Sequence, residues 1–159
     1  MTAPPASAAQ TAAAAPADIS AIAAEIFATL GTGRQIAPFT ARPAGLTVAD
    51  AYRVSAALNA MRRARGEKPL GRKIGFTNRT IWPEYGVYAP IWGFVYDSTV
   101  HALGTTAALP LAGLAEPRIE PEIVFGLAAA PSAGMDEAAL LACLEWVAHG
   151  FEIVQSIYP

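Results

Sequence analysis

Hydrophobic and polar positions follow a helical period in the first part of the chain. Apolar residues recur at spacings of three and four between positions 19 and 30, which predicts an amphipathic helix. Asp18 can cap this helix and Gly31 can end it. A second helix is predicted from Thr47, whose side chain can accept a hydrogen bond from the amide of Asp50, and Gly66 ends it. The apolar stripe of the first helix consists of Ile19, Ile22, Ala23, Ile26, Phe27 and Leu30.

After residue 70 the pattern changes to short apolar runs separated by Gly and Pro, which is typical of strands and turns. A third helix is predicted from Asp136, a good cap, through Val147, and Gly150 ends it. Helices followed mostly by strands predict an α+β fold. The predicted strands are residues 72–76, 94–96, 119–127 and 151–157.

Composition limits the classes of protein that remain. Hydrophobic residues make up 53% of the 159 positions and charged residues 15%, so the chain can form a core and is not a fully disordered protein. A net charge of −2 and the absence of a long apolar run predict neither a nucleic-acid nor a membrane partner. The single cysteine, Cys143, cannot form an internal disulfide. We expect a soluble, cytoplasmic protein.

Residues 1–17 consist mostly of Ala, Pro, Ser and Thr. The first basic residue is Arg34, so the basic segment that opens a secretory signal peptide is missing. We therefore predict a disordered tail over residues 1–17 and one folded domain over residues 18–159.

Three carboxylates provide the first candidate chemistry. Side chains alternate between the faces of a strand, so Glu120 and Glu122 are predicted on one face, about 7 Å apart, with Ile119, Ile123 and Phe125 directed into a core on the other. Like charges so placed repel unless a cation or solvent compensates. The alternative is a solvated strand face, with Pro121 marking an edge strand.

Glu152 lies in another apolar strand, where an unpaired charge is costly. Three carboxylates that meet would suit Mg²⁺ or Mn²⁺, and no Cys/His spacing predicts a zinc site. Whether Glu152 approaches the other two is left open at this stage.

Residues 71–77 (GRKIGFT) provide the second candidate. In a strand, Lys73 shares a face with Gly75 and Thr77, and a lysine partly removed from water near a metal ion is suited to proton transfer. Seven of the eleven Lys and Arg residues lie between Arg62 and Arg79, so a solvated basic surface is the alternative. RNA binding through this basic run is disfavoured because Gly and Pro interrupt it and the rest of the chain is acidic.

Several of these segments, in this order, resemble one enzyme group. Residues 71–77, Gly86-Val87, Pro90-Ile91-Trp92-Gly93, residues 118–123 (RIEPEI) and Glu145-Trp146-Val147 followed by Glu152 are similar to the 2-keto-4-pentenoate hydratases and 4-oxalocrotonate decarboxylases. That group belongs to the fumarylacetoacetate hydrolase superfamily. The resemblance covers residues 18–159, which correspond to the N-terminal part of such a protein.

The resemblance implies N-terminal helices followed by a rolled mixed β-sandwich with a Mg²⁺ or Mn²⁺ site. It assigns Glu120, Glu122 and Glu152 as metal ligands and Lys73 as the catalytic lysine. Thr77 lies at the rim of the implied pocket, and Trp92 and Gly93 are assigned with it to substrate binding. The residues so assigned all belong to the matching segments named above.

The implied activity is that of a metal-dependent lyase in the catabolism of aromatic compounds, and a homo-oligomer is expected. Its substrate would be a small 2-oxo or 2-hydroxydienoic acid, which it hydrates or decarboxylates. Ile91 stands where hydratases of the group carry an acidic residue, which favours the decarboxylase branch.

Members of the group continue well beyond the position of Pro159, so we expect a fold truncated at its C-terminus, with exposed edges that favour association. The alternatives are a catalytically incomplete fragment or interaction module of the same fold, and an acylpyruvate C–C hydrolase.

Overall fold

The computed structural model describes residues 17–104 and 108–159. The described residues form two compact units, one from residues 17–30, 37–104 and 108–109 and the other from residues 31–36 and 110–159. Both helices and strands are present, as the α+β prediction requires. The predicted disordered tail lies outside the described residues except for Ala17.

Two capped helices begin the first unit, as predicted. Helix α1 spans Ile19–Thr29, and its N-cap Asp18 accepts a hydrogen bond of 3.0 Å from the amide of Ala21. Helix α2 spans Val48–Ala64, and its N-cap Thr47 and Asp50 form a reciprocal capping box. The helices pack against each other. The buried side chains of the pair include Ile22, Ala23 and Val54.

An antiparallel hairpin completes the regular structure of this unit. Strand β1 spans Pro69–Gly75 and strand β2 spans Ile91–Tyr96. The predicted strand over 72–76 extends too far, because Phe76 leaves the strand with a φ of +58°. Between the strands, in the stretch that contains Gly and Pro, a short helix α3 spans Trp82–Tyr85.

One face of the β1–β2 hairpin packs on α2 through aromatic rings. Trp92 stacks on Tyr52, with ring centroids 5.2 Å apart. Tyr96 is buried, and its hydroxyl donates a hydrogen bond of 3.1 Å to Asn59 Oδ1. Burial raises the pKa of the Tyr96 hydroxyl. These contacts attach the hairpin to the helix and fix which of its faces points outward.

A second attachment is ionic and lies at the C-terminal end of α2. The Glu67 side chain accepts hydrogen bonds from Arg62, Arg65 and, at 3.0 Å, the Ser98 hydroxyl. Desolvation raises the pKa of Glu67, but these hydrogen bonds outweigh it and hold the pKa below its ordinary value. The cluster joins the end of α2 to the segment that follows β2.

The second unit is built on another antiparallel hairpin. Strand β3 spans Arg118–Leu127 and pairs with strand β4, Leu144–Val154, and a short helix α4, Glu137–Leu141, lies between them. Residues 31–36 join this unit by hydrogen bonds such as that from the Ile36 amide to the Ile157 carbonyl, 2.8 Å.

The third helix is much shorter than predicted. Asp136 caps it, accepting a hydrogen bond of 2.8 Å from the Ala139 amide, but α4 ends at Leu141. The prediction of helix to Val147 is wrong, because residues 144–150 belong to the strand that pairs with β3. Strand pairing here overrides a local periodicity that fits a helix.

The prediction of a core on the face of β3 opposite Glu120 and Glu122, which we call the outer face, is also wrong. Ile119, Ile123 and Phe125 are 64%, 56% and 58% exposed, and Phe151 opposite Pro121 is 60% exposed. No other element of this unit covers the face. The sheets in the described residues are two separate two-stranded hairpins, so the rolled sandwich stays a prediction.

Among the described residues, every helix is too short or too polar to cross a lipid bilayer.

Candidate metal centre

The β3–β4 register brings three carboxylates together. Glu120 lies directly opposite Glu152, and Glu122 follows on the same face of β3, opposite Gly150. Each of the three side chains offers a carboxylate oxygen, and these oxygens all lie within 4.8 Å of one another. We call Glu120, Glu122 and Glu152 the carboxylate cluster.

Exposure and chemistry of the carboxylate cluster fit a hard divalent cation. Glu120 and Glu122 are exposed and Glu152 is half-buried, so the cluster is held by the sheet and remains accessible. All three donors are oxygens, the ligand type that Mg²⁺, Mn²⁺ and Ca²⁺ prefer, and water or substrate oxygens can complete the coordination shell. A cation would also compensate the mutual repulsion of three like charges.

The soft ligands of this unit lie elsewhere. His149 pairs with Ile123, on the opposite face of the hairpin from the carboxylates. Cys143 is buried after α4, and its thiol lies 3.4 Å from the Ala139 carbonyl oxygen. The cluster is therefore an all-oxygen site, which disfavours zinc.

The face that carries the cluster continues along the hairpin as an apolar surface. Val124 lies opposite Ala148, and Gly126 lies opposite Trp146. The indole of Trp146 lies against the bare backbone of Gly126, where a Cβ atom would collide with the ring. This surface was not predicted, because the periodicity of residues 144–147 fits a helix. The signal that would have predicted this surface is the run of apolar residues before Gly150, which continues the predicted strand of residues 151–157 toward the N-terminus.

Lys73 and Gly93 lie in the first unit, opposite each other in the β1–β2 hairpin. The alkyl stem of Lys73 lies along the Gly93 backbone, where a Cβ atom would be 3.5 Å from Lys73 Cγ. Gly71 and Gly75 lie on the same face as Lys73, and because glycine has no side chain they leave open space on both sides of the lysine. A strand rather than a loop holds the lysine.

Trp92 is on the other face of that hairpin. It stacks on Tyr52, contacts Phe94 edge-on and lies under the Arg72 guanidinium, whose carbon is 4.8 Å from the ring centroid. Adjacent residues of a strand point to opposite sides, so Trp92 and Gly93 do not share a face. Thr77 is exposed beyond the end of β1. Substrate binding by Thr77, Trp92 and Gly93 stays a prediction.

The chain spans about half the length of the curated relatives it matches. The chain is 38% identical over 132 residues to the 2-hydroxyhexa-2,4-dienoate hydratase of Comamonas testosteroni, a match that covers 82% of the chain and 50% of the relative. A 4-oxalocrotonate decarboxylase of a Pseudomonas species is 35% identical over 114 residues, covering 71% of the chain and 43% of the relative. No family model matches the chain.

Comparison of the fold with solved structures indicates the same relatives as the sequence. The chain superposes on the 4-oxalocrotonate decarboxylase of Pseudomonas putida G7, complexed with magnesium and adipate, with a TM-score of 0.76 and 27% identity. The match covers 88% of this chain and 53% of that one. The chain is therefore homologous, over most of its own length, to the 2-keto-4-pentenoate hydratases and 4-oxalocrotonate decarboxylases.

Proposed function

We propose that this chain carries the metal-binding part of a metal-dependent lyase that acts on a small 2-oxo or 2-hydroxydienoic acid. The observation that carries the proposal is the carboxylate cluster, whose three oxygens lie within 4.8 Å of one another in a chain homologous to such lyases. Glu120, Glu122 and Glu152 would hold Mg²⁺ or Mn²⁺. The bound ion would supply positive charge where negative charge develops on the 2-oxo or enol oxygen of the substrate.

Lys73 is the proposed proton carrier. Hydration adds a hydroxyl group and a proton across a carbon–carbon double bond, and decarboxylation replaces a carboxylate by a proton, so both reactions need a group that delivers protons. The position of Lys73 supports this role, because it lies on a strand among glycines that leave room for a ligand. Thr77 and Gly93 are proposed to contact the substrate. Trp92, on the opposite face, is proposed to contribute to substrate binding by holding the hairpin on Tyr52 of α2.

Decarboxylation is the second candidate reaction. Ile91 begins β2 where hydratases of the group carry an acidic residue, and decarboxylases are among the relatives in sequence and in fold. Hydration is favoured by the 38% identity to the 2-hydroxyhexa-2,4-dienoate hydratase. We therefore keep both reactions on the same metal site.

The assembly and the compartment belong to the same proposal. The apolar outer face of the β3–β4 hairpin, with Ile119, Phe125 and Phe151 all more than half exposed, supports packing into a larger sandwich and a homo-oligomer. Residues 18–159 would then be the front part of the catalytic domain, acting in the cytoplasm.

The test is activity of the chain on two substrates. After removal of metal by a chelator and addition of Mg²⁺, loss of the dienol absorbance of 2-hydroxyhexa-2,4-dienoate reports hydration, and CO₂ release from 2-oxo-3-hexenedioate reports decarboxylation. We expect one reaction to appear only with the metal. Absence of both, in a chain that binds Mn²⁺, would favour the incomplete-fragment alternative and contradict the proposed activity.

A further inference from the structure

The turn that follows β1 contains a residue in an unfavourable backbone conformation. Phe76 has a φ of +58°, in the left-handed region that residues with a side chain rarely adopt. Such a conformation persists only where neighbouring groups hold it. Its position matters for the proposed site, since Phe76 lies between β1, the strand that carries Lys73, and the adjacent Thr77.

Trp82 supports this turn through a hydrogen bond to the backbone. Its indole N–H donates a hydrogen bond of 2.9 Å to the Phe76 carbonyl oxygen. Both side chains are half-buried, so water competes less with this bond than it would at the surface. The ring of Tyr85 adds an edge-on contact with the Phe76 ring, with centroids 5.5 Å apart. Both contacts come from α3, which therefore holds the left-handed residue by its backbone and by its ring.

The segment that carries Trp82 is itself held in place by local contacts. Asn78 caps the short 3-10 turn that follows it, and its Oδ1 accepts hydrogen bonds from the Thr80 amide at 3.0 Å and the Thr80 hydroxyl at 2.7 Å. Pro83 lies in the first turn of α3, and Gly86 ends this helix with a φ of +63°. The indole N–H of Trp82 is therefore presented to the turn from an ordered segment.

The conformation of Phe76 decides the direction of Thr77. In a continuous strand Thr77 would lie on the face of Lys73, but β1 ends at Gly75, so strand alternation no longer sets this direction. The Phe76 carbonyl and the Thr77 amide belong to one planar peptide group. A hydrogen bond from Trp82 to that carbonyl therefore orients the backbone of Thr77 as well.

We propose that Trp82 is a positioning residue for substrate binding and that it acts through Thr77. This inference rests on the proposed function, in which Thr77 contacts the substrate. The indole N–H fixes the peptide group between Phe76 and Thr77, and this peptide group places the Thr77 hydroxyl for a hydrogen bond with the substrate. Trp82 acts without contacting the substrate.

The experiment measures the dissociation constant of 2-oxobutanoate by calorimetry on the full chain loaded with Mn²⁺. Thr77→Val removes the hydroxyl and should weaken binding about tenfold. Trp82→Phe keeps an aromatic ring but loses the N–H, and should weaken binding about fivefold. Trp82→His keeps an N–H at the equivalent position of a five-membered ring, so its affinity should stay within about twofold of the wild type.

Two further variants separate positioning from a general loss of structure. Tyr85→Phe is the matched control and should bind like the wild type, because it keeps the ring against Phe76 and removes the hydroxyl of an exposed residue. The double variant Trp82→Phe/Thr77→Val should bind like Thr77→Val alone, since the effect of Trp82 passes through the Thr77 hydroxyl.

Unchanged binding by Trp82→Phe, equal losses in Trp82→Phe and Trp82→His, or a further loss in the double variant would overturn the inference. Any of these results, in variants that bind Mn²⁺ as the wild type does, would leave the proposed function intact. Failure of the wild type to bind 2-oxobutanoate would overturn the proposed function and this inference with it.

Discussion

Glu120 on β3 and Glu152 on β4 lie directly opposite each other in the antiparallel hairpin. Like charges directly opposite across two strands destabilise a sheet, yet here a third carboxylate, Glu122, adds to them on the same face. A sheet that keeps this arrangement gains stability when a cation is bound. We therefore expect metal binding to stabilise the fold of the second unit.

Glu120→Gln should separate these two effects. Without metal, the variant should be more stable than the wild type by about 0.2–1 kcal/mol, because one repulsive charge is gone. With millimolar Mn²⁺, the wild type should gain stability and the variant should gain much less. Thermal unfolding with and without Mn²⁺ measures both differences. A variant that is stabilised by Mn²⁺ as much as the wild type would remove Glu120 from the ligand set.

Gly126→Ala should destabilise the second unit. A Cβ atom at this position collides with the Trp146 ring, so the indole must leave the sheet surface, at a cost of about 1–3 kcal/mol. Gly71→Ala is the matched control, since a Cβ atom on this other strand glycine meets nothing within 4 Å. Denaturant unfolding compares the two. Equal stabilities would show that Trp146 does not lie on Gly126.

Glu67 should make the stability of the first unit pH-dependent. Its pKa is lower in the folded chain than the ordinary 4.5, so its stabilising effect is complete above that value and is lost as the pH falls through the lowered pKa. Glu67→Gln should cost about 1–3 kcal/mol at pH 7, and progressively less below pH 4.5.

Glu25→Gln is the control for Glu67, because it removes an exposed carboxylate paired with Arg42 at 2.7 Å. An exposed pair of this kind contributes little, so we expect its loss to change unfolding far less. A pH-independent cost of Glu67→Gln would contradict the ionic role of the Glu67 carboxylate.

Lys73→Met should lower kcat of an active protein by about 10²- to 10⁴-fold, because the variant keeps the stem along Gly93 and loses the proton carrier. Mn²⁺ affinity should remain. Arg72→Met is the control, since Arg72 lies on the other face, over the Trp92 and Phe94 rings. Steady-state kinetics of both variants decides the matter: equal losses, or full turnover of Lys73→Met, would exclude Lys73 as the proton carrier.

Features that depend only on residues close together in the sequence, such as helix caps and strand faces, were predicted. Asp18 and Thr47 cap α1 and α2 as expected, because a cap needs only a side-chain oxygen and an amide three residues away. The alternation that places Glu120 and Glu122 on one face is equally local.

Strand register lies beyond such signals. Whether Glu152 meets Glu120 depends on how β3 and β4 align, and a shift of one residue would move it to the other face. The same pairing makes residues 144–150 part of a strand and places the Trp146 ring against the Gly126 backbone. The expected burial of Ile123 failed because burial requires a covering element, which alternation within one strand does not specify.

Direct binding of Mn²⁺ to the full chain tests the central claim, and calorimetry on three proteins is sufficient. The wild type should bind one Mn²⁺ ion, and Glu122→Gln should bind it markedly more weakly, because one anionic ligand is lost next to a dication. Glu145→Gln removes the same charge from the far end of β4, beyond the Gly126–Trp146 pair, and should bind like the wild type. Equal Mn²⁺ affinity of Glu122→Gln and the wild type would contradict the metal site at the carboxylate cluster.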